Sequence, residues 1–152
     1  MTDLTLAPFE ADRLDELVGM WRACFEFGVG VKDPNPIAEQ RQAFLDRVLP
    51  NNALRMALRG DELVGFVAAS PGSVDQLHVR VGCHRQGIGT QLLDWAKAQS
   101  TGSLWLYTFD RNRRAQAFYE HHGFVILERG FEPTWQLDDI KYGWSTAGRR
   151  SA

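Results

Sequence analysis

The chain of 152 residues lacks the features that mark several common classes of protein. It has only two cysteines, Cys24 and Cys83, which argues against a disulfide framework and predicts that both thiols are reduced. No apolar run approaches the roughly 18 residues needed to span a bilayer, and no basic stretch with an apolar core opens the sequence. The sequence therefore predicts a soluble, cytoplasmic protein with no membrane partner.

Basic charge and metal-ligand patterns are also scarce. The formal net charge is −2 at pH 7, and the one basic pair that stands out, Arg149–Arg150, lies near the C-terminus. A protein that coats nucleic acid needs a basic face, so no nucleic-acid partner is expected. His121 and His122 are neighbours on a predicted helix and point in different directions, and no HxxxH pair or cysteine set completes a coordination shell. No metal site is expected.

The best-known nucleotide-binding motifs are missing, since the chain has neither GxGxxG nor GxxxxGK(S/T). It has instead a glycine-bearing turn within residues 74–93, where a short apolar strand leads into an amphipathic helix. Gly87 and Gly89 let a ligand approach the backbone, and the first N–H groups of a helix have no intrahelical partner. The turn predicts a cradle for phosphate or pyrophosphate. The same pattern is also found where two glycines begin a helix that binds no ligand, so this second interpretation stays open.

The spacing of apolar residues predicts alternating strands and helices with no linker or repeat between them. We expect one domain over residues 1–152, with a folded core over about 3–146 and a short C-terminal tail. Helical spacing marks residues 14–25, 37–48, 88–99 and 113–122, and the second of these helices is expected to end before Pro50. The third is expected to bury Ile88, Leu92, Trp95 and Ala96, and Asn112 is the expected N-cap of the fourth. Strands are predicted at residues 4–9, 54–59, 63–69, 74–79, 103–109, 124–129 and 140–144.

Two segments carry a resemblance to a known family. Residues 84–93, HRQGIGTQLL, resemble the Q/R-x-x-G-x-G/A motif and following helix of the GNAT N-acetyltransferases. Residues 112–124, NRRAQAFYEHHGF, are similar to the N-x-x-A-x-x-F-Y-E-x-x-G-F signature of the same family. The chain departs from the first motif at His84, where the family has Gln or Arg. In the family this residue acts largely through its backbone N–H, so the pyrophosphate site is expected to be kept although His84 replaces Gln or Arg. Arg85 can supply positive charge to a phosphate instead.

The resemblance implies a fold and a co-substrate. The expected fold is α/β, a mixed and mostly antiparallel β-sheet flanked by helices in the order βααβββαβαββ. A V-shaped splay between strands 4 and 5 would take the pantetheine arm of acetyl-CoA. The residues implied to bind acetyl-CoA are Leu77, His78, Val79, His84, Arg85, Gln86, Gly87, Ile88, Gly89, Thr90, Asn112 and Tyr119.

The implied reaction is direct attack of a primary amine on the thioester, without a metal or a covalent acyl-enzyme. Tyr119 matches the family tyrosine that donates to the sulfur of CoA, since a phenol with a pKa of about 10 is protonated at working pH. By analogy, the backbone N–H of Val79 meets the oxyanion. The general base is left open between two residues. Asp75 leads because its position can face the cleft, whereas His78 has the better intrinsic pKa but could cover the outside of the sheet.

The acceptor pocket is expected between the first two helices, their loop and the last hairpin. Candidate walls and acids there are Trp21, Phe25, Phe27, Trp135 and Trp144, with Glu26, Asp33, Glu132, Asp138 and Asp139. A small-molecule amine or a peptide or protein amino group is compatible with such a pocket. The identity of the acceptor, the acyl-chain preference and homodimerisation stay open. The alternative function is a non-catalytic, acyl-CoA-binding regulatory module.

Overall fold

The computed structural model describes residues 3–147, and the predicted tail with Arg149–Arg150 lies outside the described residues. The described strands are β1 Leu4–Ala7, β2 Ala53–Arg59, β3 Glu62–Ala69, β4 Val74–Val79, β5 Ser103–Phe109, β6 Val125–Glu132 and β7 Leu137–Ser145. The α-helices are α1 Leu14–Val29, α2 Ile37–Ala43, α3 Leu49–Asn51, α4 Ile88–Gln99 and α5 Arg113–His121. A 3-10 turn, Ala11–Arg13, precedes α1, and a π-helical segment, Phe44–Val48, joins α2 to α3.

Hydrogen bonding divides these strands into two antiparallel sheets, ordered β1-β2-β3-β4 and β5-β7-β6. The sheets meet where β4 and β5 begin. There Ser73 forms a parallel bridge with Trp105, and the Trp105 N–H donates to the Gly72 carbonyl at 3.0 Å. Past this bridge β4 and β5 share no ladder in the part of the chain that the structure describes, so they diverge. The mixed α/β fold and the V-shaped splay predicted from the sequence are confirmed.

Strand β3 is buried on both faces, which explains why its sequence is a continuous apolar run. Val67 and Ala69 pack into a hydrophobic cluster with residues of α4 and α5. Phe66 and Ala68 pack into a second cluster with residues of α1 and the π-helical segment. Helices therefore cover both faces of the first sheet, and an open site has to lie at its free edge beside β4.

Two helix predictions need correction. The second helix was expected to end before Pro50, but Pro50 lies inside the last helical turn, α3. A proline ring normally clashes with the carbonyl four residues earlier, and the wider π winding of Phe44–Val48 changes the position of those carbonyls. In α4 the fully buried face includes Leu93, while Trp95 is only partly buried. Within residues 3–147, no helix combines the length and apolar character that crossing a bilayer requires.

The last hairpin is longer than its sequence pattern predicts. β6 extends to Glu132 and β7 begins at Leu137, so the tip of the hairpin lies beyond the predicted strand ends at residues 129 and 140. Nearly every β6 residue is exposed, because β6 is the outer strand of its sheet. Apolar alternation is therefore a weak signal there, and charged residues continue the ladder.

Candidate active site

A cleft of about 1310 Å³ opens where the two sheets diverge. One wall is β4, the other is the outward face of the β5-β7-β6 sheet, and helix α1 with the loop after it forms the roof. The tip of the β6–β7 hairpin closes one end, since the Trp135 ring packs on Phe25 of α1 with centroids 4.6 Å apart. The cleft is thus bounded by elements that are far apart in the sequence.

The edge of β4 that faces this cleft has no partner strand among the described residues. Arg80 N–H donates to the Val64 carbonyl at 2.8 Å, and His78 pairs with Phe66 in the antiparallel register. Because neighbouring residues of a strand direct their backbone groups to opposite sides, those of Leu77 and Val79 point toward the cleft. The backbone role expected of Leu77 and Val79 requires this orientation. The backbone of His78 is directed to β3, so only its side chain can serve the cleft.

Cys24 occupies part of this free edge, which the sequence analysis missed. Its thiol lies 3.1 Å from the Val79 carbonyl oxygen and donates to it. Burial raises the pKa of the Cys24 thiol to about 11, so the group is a neutral donor at pH 7. A signal was present in the sequence, because Cys24 shares one face of α1 with Trp21, Phe25 and Gly28 at helical spacing.

The predicted anion cradle has the expected backbone geometry. Gly87 precedes α4 with φ +81°, Arg85 has φ +65°, and no side chain caps this helix. The N–H groups of Ile88, Gly89 and Thr90 are therefore the unpaired donors of its first turn. Gly89 also permits close packing, since an added Cβ would lie 3.1 Å from the Phe118 ring.

The side chains around the cradle are engaged in contacts of their own. Gln86 accepts a hydrogen bond from Arg59, and the Thr90 hydroxyl lies 3.2 Å from His122 Nε2. His84 stacks on Phe27 of α1 with centroids 5.8 Å apart. Burial, and secondarily the Arg114 guanidinium, lowers the pKa of His84. Phe27 was expected to wall the acceptor pocket, but it lies at this other end of the site.

Tyr119 is held at the bottom of the cleft by aromatic neighbours. Its ring packs against Phe124 and Tyr142 with centroids 5.5 and 6.3 Å away, and its side chain is only 7% exposed. The residue lines the cleft, and its hydroxyl makes no hydrogen bond to any described residue. Burial raises the pKa of this phenol well above 10. The group stays protonated at neutral pH and is available to donate.

Asn112 joins the cleft to helix α5. Its side-chain oxygen accepts a hydrogen bond from the Ala115 N–H at 3.1 Å, which confirms the predicted N-cap. The same side chain lies against Gly28 of α1, where an added Cβ would be 2.6 Å from Asn112 Nδ2. Arg111 Nε also donates to the Val29 carbonyl at 2.9 Å, so the end of α1 is fastened to the start of α5.

The two candidate bases both line the cleft but differ in their surroundings. Asp75 is exposed at an irregularity in the β3–β4 pairing, and it accepts a hydrogen bond from Asn52 Nδ2 at 2.9 Å. His78 does not cover the outside of the sheet. It is half-buried against Phe66, and its Nε2 lies 2.8 Å from the Gln76 side-chain oxygen. Burial lowers the pKa of His78 to about 4, so it is neutral at pH 7.

Of the residues proposed for the acceptor end, some lie in the cleft and others do not. Trp21, Phe25, Trp135, Asp33, Glu132 and Asp139 line it. Trp144 is buried in the core instead, and Asp138 is exposed on the opposite face of β7 from Asp139. Glu26 accepts from the Asp33 N–H at 2.8 Å, and Asp33 pairs with Arg22 at 3.3 Å, so these two acids hold the loop after α1.

The fold and the splayed cleft define the architecture of an N-acetyltransferase. The sequence matches the model of the acetyltransferase (GNAT) family over residues 12–124, and the chain belongs to this family. It is an acyltransferase whose general reaction is N-acetylation with acetyl-CoA as donor. A search of the curated proteins gives no match.

Solved structures with the same fold are numerous and distant in sequence. Apo YjaB from Escherichia coli has 19% identity and a TM-score of 0.77, with 93% of this chain and 97% of that chain covered. An acetyltransferase from Thermus thermophilus has 19% identity and a TM-score of 0.76, with coverage of 95% and 99%. The PaiA N-acetyltransferase from Thermoplasma acidophilum, solved in complex with coenzyme A, has 15% identity and a TM-score of 0.73, with coverage of 94% and 99%.

Proposed function

We propose that this protein transfers the acetyl group of acetyl-CoA directly to a primary amine held in the cleft between the two sheets. The observation that supports this most is the free edge of β4 beside the unpartnered hydroxyl of Tyr119. Such an edge offers hydrogen bonds to the amides of a pantetheine arm, and the hydroxyl offers a proton to its sulfur. The remaining cleft volume is then available to the amine.

The pyrophosphate of acetyl-CoA binds at the start of α4. The N–H groups of Ile88, Gly89 and Thr90 donate to it, and the positive end of the helix dipole adds to the attraction. Arg85 is exposed next to these groups and supplies positive charge. The backbone of Leu77 and Val79 aligns the pantetheine arm, and Asn112 contacts it from the opposite side of the cleft.

The chemistry needs a neutral amine, an oxyanion donor and an acid for the leaving thiolate. An alkylammonium ion has a pKa of about 10 and must lose a proton before it attacks. Asp75, exposed in the cleft, accepts this proton, while the N–H of Val79 donates to the oxyanion. As the tetrahedral intermediate collapses, Tyr119 gives its proton to the CoA sulfur and the nitrogen loses its second proton to solvent. Tyr119 then regains a proton from solvent.

The test is Tyr119→Phe, with Tyr107→Phe as the matched control. Tyr107 also lines the cleft and loses the same single oxygen, but it is half-exposed beside Lys141. We expect kcat for acetyl transfer to fall about 100-fold in the Tyr119 variant, within the usual range for an acid catalyst. The Kd for acetyl-CoA, measured by calorimetry, should change less than about twofold.

The comparison of the two variants also tests the alternative function. A regulatory module that only binds acyl-CoA would show no turnover with any amine, and neither variant would differ from the parent. If Tyr107→Phe lost as much activity as Tyr119→Phe, the assignment of the acid to Tyr119 would be wrong.

A further inference from the structure

Helix α1 covers part of the β4 edge that the proposed function assigns to the pantetheine arm. The Cys24 thiol, on α1, donates to the Val79 carbonyl oxygen at 3.1 Å. Burial raises the pKa of this thiol to about 11, so it keeps its proton at pH 7. Because His78 pairs with Phe66 of β3, the Val79 carbonyl is directed away from β3 and toward the cleft. One of the acceptors on this edge is therefore occupied in the free protein.

The same face of α1 makes two further contacts of this kind. Residues 24, 27 and 28 are three and four positions apart, which places them on one side of the helix. Each of them lies against a residue that is expected to bind acetyl-CoA. The three pairs are Cys24 with Val79, Phe27 with His84, and Gly28 with Asn112. The end of α1 is thus packed against both walls of the slot that the co-substrate would enter.

A second and independent observation marks the same place as a ligand site. The Tyr119 side chain is more than nine-tenths buried and lines the cleft together with Cys24, and its hydroxyl makes no hydrogen bond to any described residue. Val79 Cγ2 and the Phe118 ring lie 3.5 and 3.1 Å from one point, the position of a Cβ added at Gly89. The Phe118 ring in turn packs on Tyr119 with centroids 5.2 Å apart. Val79 therefore belongs to the same part of the cleft as the unpartnered hydroxyl.

A thiol and an amide differ as donors to the Val79 carbonyl. The thiol is a weak donor, whereas each of the two amides of a pantetheine arm has an N–H that loses its hydrogen bonds to water on burial. An amide that donates to this carbonyl has to approach it from the cleft, where the Cys24 thiol already lies. Binding then exchanges one hydrogen bond for the other. The affinity for the co-substrate depends on the strength of the bond that is lost.

We infer that Cys24 is a positioning residue, whose thiol competes with a pantetheine amide for the Val79 carbonyl and so sets the affinity for acetyl-CoA. Cys24 acts through Val79 and takes no part in the bond changes of acetyl transfer. The inference rests on the proposed function, because it concerns the co-substrate of that same site. Its direction is specific, since a weaker donor at position 24 tightens binding and a stronger donor weakens it.

The test measures the Kd for acetyl-CoA by calorimetry in the parent, Cys24→Ala and Cys24→Ser. Alanine removes the donor, so we expect the Kd to fall about threefold. Serine is a stronger donor of nearly the same shape, so we expect the Kd to rise about threefold. The matched controls are Cys83→Ala and Cys83→Ser. They make the same changes at a cysteine that packs against the first hydrophobic cluster and does not line the cleft, and they should leave the Kd unchanged.

An infrared spectrum follows the same hydrogen bond with the Cys24 side chain intact. In Cys83→Ser, Cys24 is the one remaining cysteine, and acetyl-CoA has no thiol of its own. We expect the S–H stretching band of Cys24 to move to higher frequency when acetyl-CoA binds, because the thiol loses its acceptor. A cysteine that only packs α1 against β4 would keep its band in place.

Several results would overturn the inference. Weaker binding in both Cys24 variants would show that the thiol only packs α1, and equal Kd values in the three proteins would show that it does not compete. An S–H band that acetyl-CoA leaves unshifted would do the same. If the parent binds acetyl-CoA with none of the expected effects, this inference fails and the proposed function stands. If acetyl-CoA does not bind the parent at all, the proposed function fails, and this inference fails with it.

Discussion

Individual side chains in this cleft are tuned by what surrounds them more than by their intrinsic chemistry. His78 has the residue type expected of a general base, yet its position against Phe66 lowers its pKa to about 4. The pKa of Tyr119 is shifted in the opposite direction, since burial raises the pKa of its phenol. Burial disfavours the charged form in both cases. The consequence is a site whose histidine is a poor base and whose tyrosine is a persistent proton donor.

The shift at His78 predicts a specific loss of stability in acid. The unfolded chain takes up a proton on this residue below pH 6.5, but the folded chain does so only near pH 4. The unfolded state therefore binds more protons between these values, and the free energy of unfolding falls as the pH drops from 6.5 to 4. At about 1.4 kcal/mol per pH unit, His78 accounts for a loss of about 2–3 kcal/mol.

The measurement is urea unfolding of the parent and His78→Gln at pH 7.5 and pH 4.5. The difference between the two pH values should be about 2–3 kcal/mol smaller in the variant. Carboxylates contribute to acid unfolding in both proteins and cancel in the comparison. An unchanged difference would show that His78 titrates normally and that its burial does not matter.

At the scale of elements, the contact between α1 and α5 depends on a glycine. Gly28 lets α1 approach the N-cap of α5, and a methyl group there would lie 2.6 Å from Asn112 Nδ2. Gly19, on the same helix, has no atom within 4 Å of its hypothetical Cβ. Packing therefore explains why residue 28 of α1 is a glycine, but it does not explain why residue 19 is one.

These two glycines predict opposite effects of the same substitution. Gly28→Ala should lower the free energy of unfolding by about 1–2 kcal/mol, because it displaces the cap of α5. Gly19→Ala should raise it by about 0.5–1 kcal/mol, since alanine favours the helix and constrains the unfolded chain. Thermal melts of both variants provide the check. Stabilisation by Gly28→Ala would mean that Asn112 can cap α5 from another position.

Much of this element-level structure could be predicted from the sequence, and the exceptions have a common cause. The Asn112 cap, the Gly87 turn and the succession of strands and helices along the chain depend on local patterns, so spacing alone indicates them. The order β5-β7-β6 within the second sheet does not follow from spacing. The contact of Cys24 with Val79 joins residues 55 positions apart, and no local rule contains it. The site residues implied by the two motifs were likewise a matter of resemblance, and their roles remain proposals.

At the scale of the whole molecule, the cleft lies at the junction of two sheets that share a hydrophobic cluster, and the isolated backbone bridge between them, among the described residues, joins Ser73 to Trp105. A ligand that contacts β4, α4 and α5 together adds interactions across this junction that the free protein lacks. Ligand binding to the folded state alone raises its stability. The proposed co-substrate should therefore stabilise the protein as a unit.

We expect saturating acetyl-CoA to raise the Tm by about 5–10 °C. A ligand at a hundredfold excess over its Kd adds about 2.7 kcal/mol, and this is the corresponding shift for a chain of this size. NAD and ATP at the same concentration are the controls, because both carry an adenosine and phosphates but no pantetheine. An equal shift with all three ligands would indicate binding through the nucleotide alone. No shift with acetyl-CoA would contradict co-substrate binding.

The bridge between the sheets has a further consequence for how sequence changes are tolerated. Strand register is set by neighbours within a ladder, and the β1-β2-β3-β4 ladder does not continue into β5-β7-β6. A residue inserted in the β6–β7 hairpin can shift the pairing of that hairpin without altering the alignment of β3 with β4. The acceptor end is therefore free to be remodelled by insertion and deletion, while the free edge of β4 keeps its register.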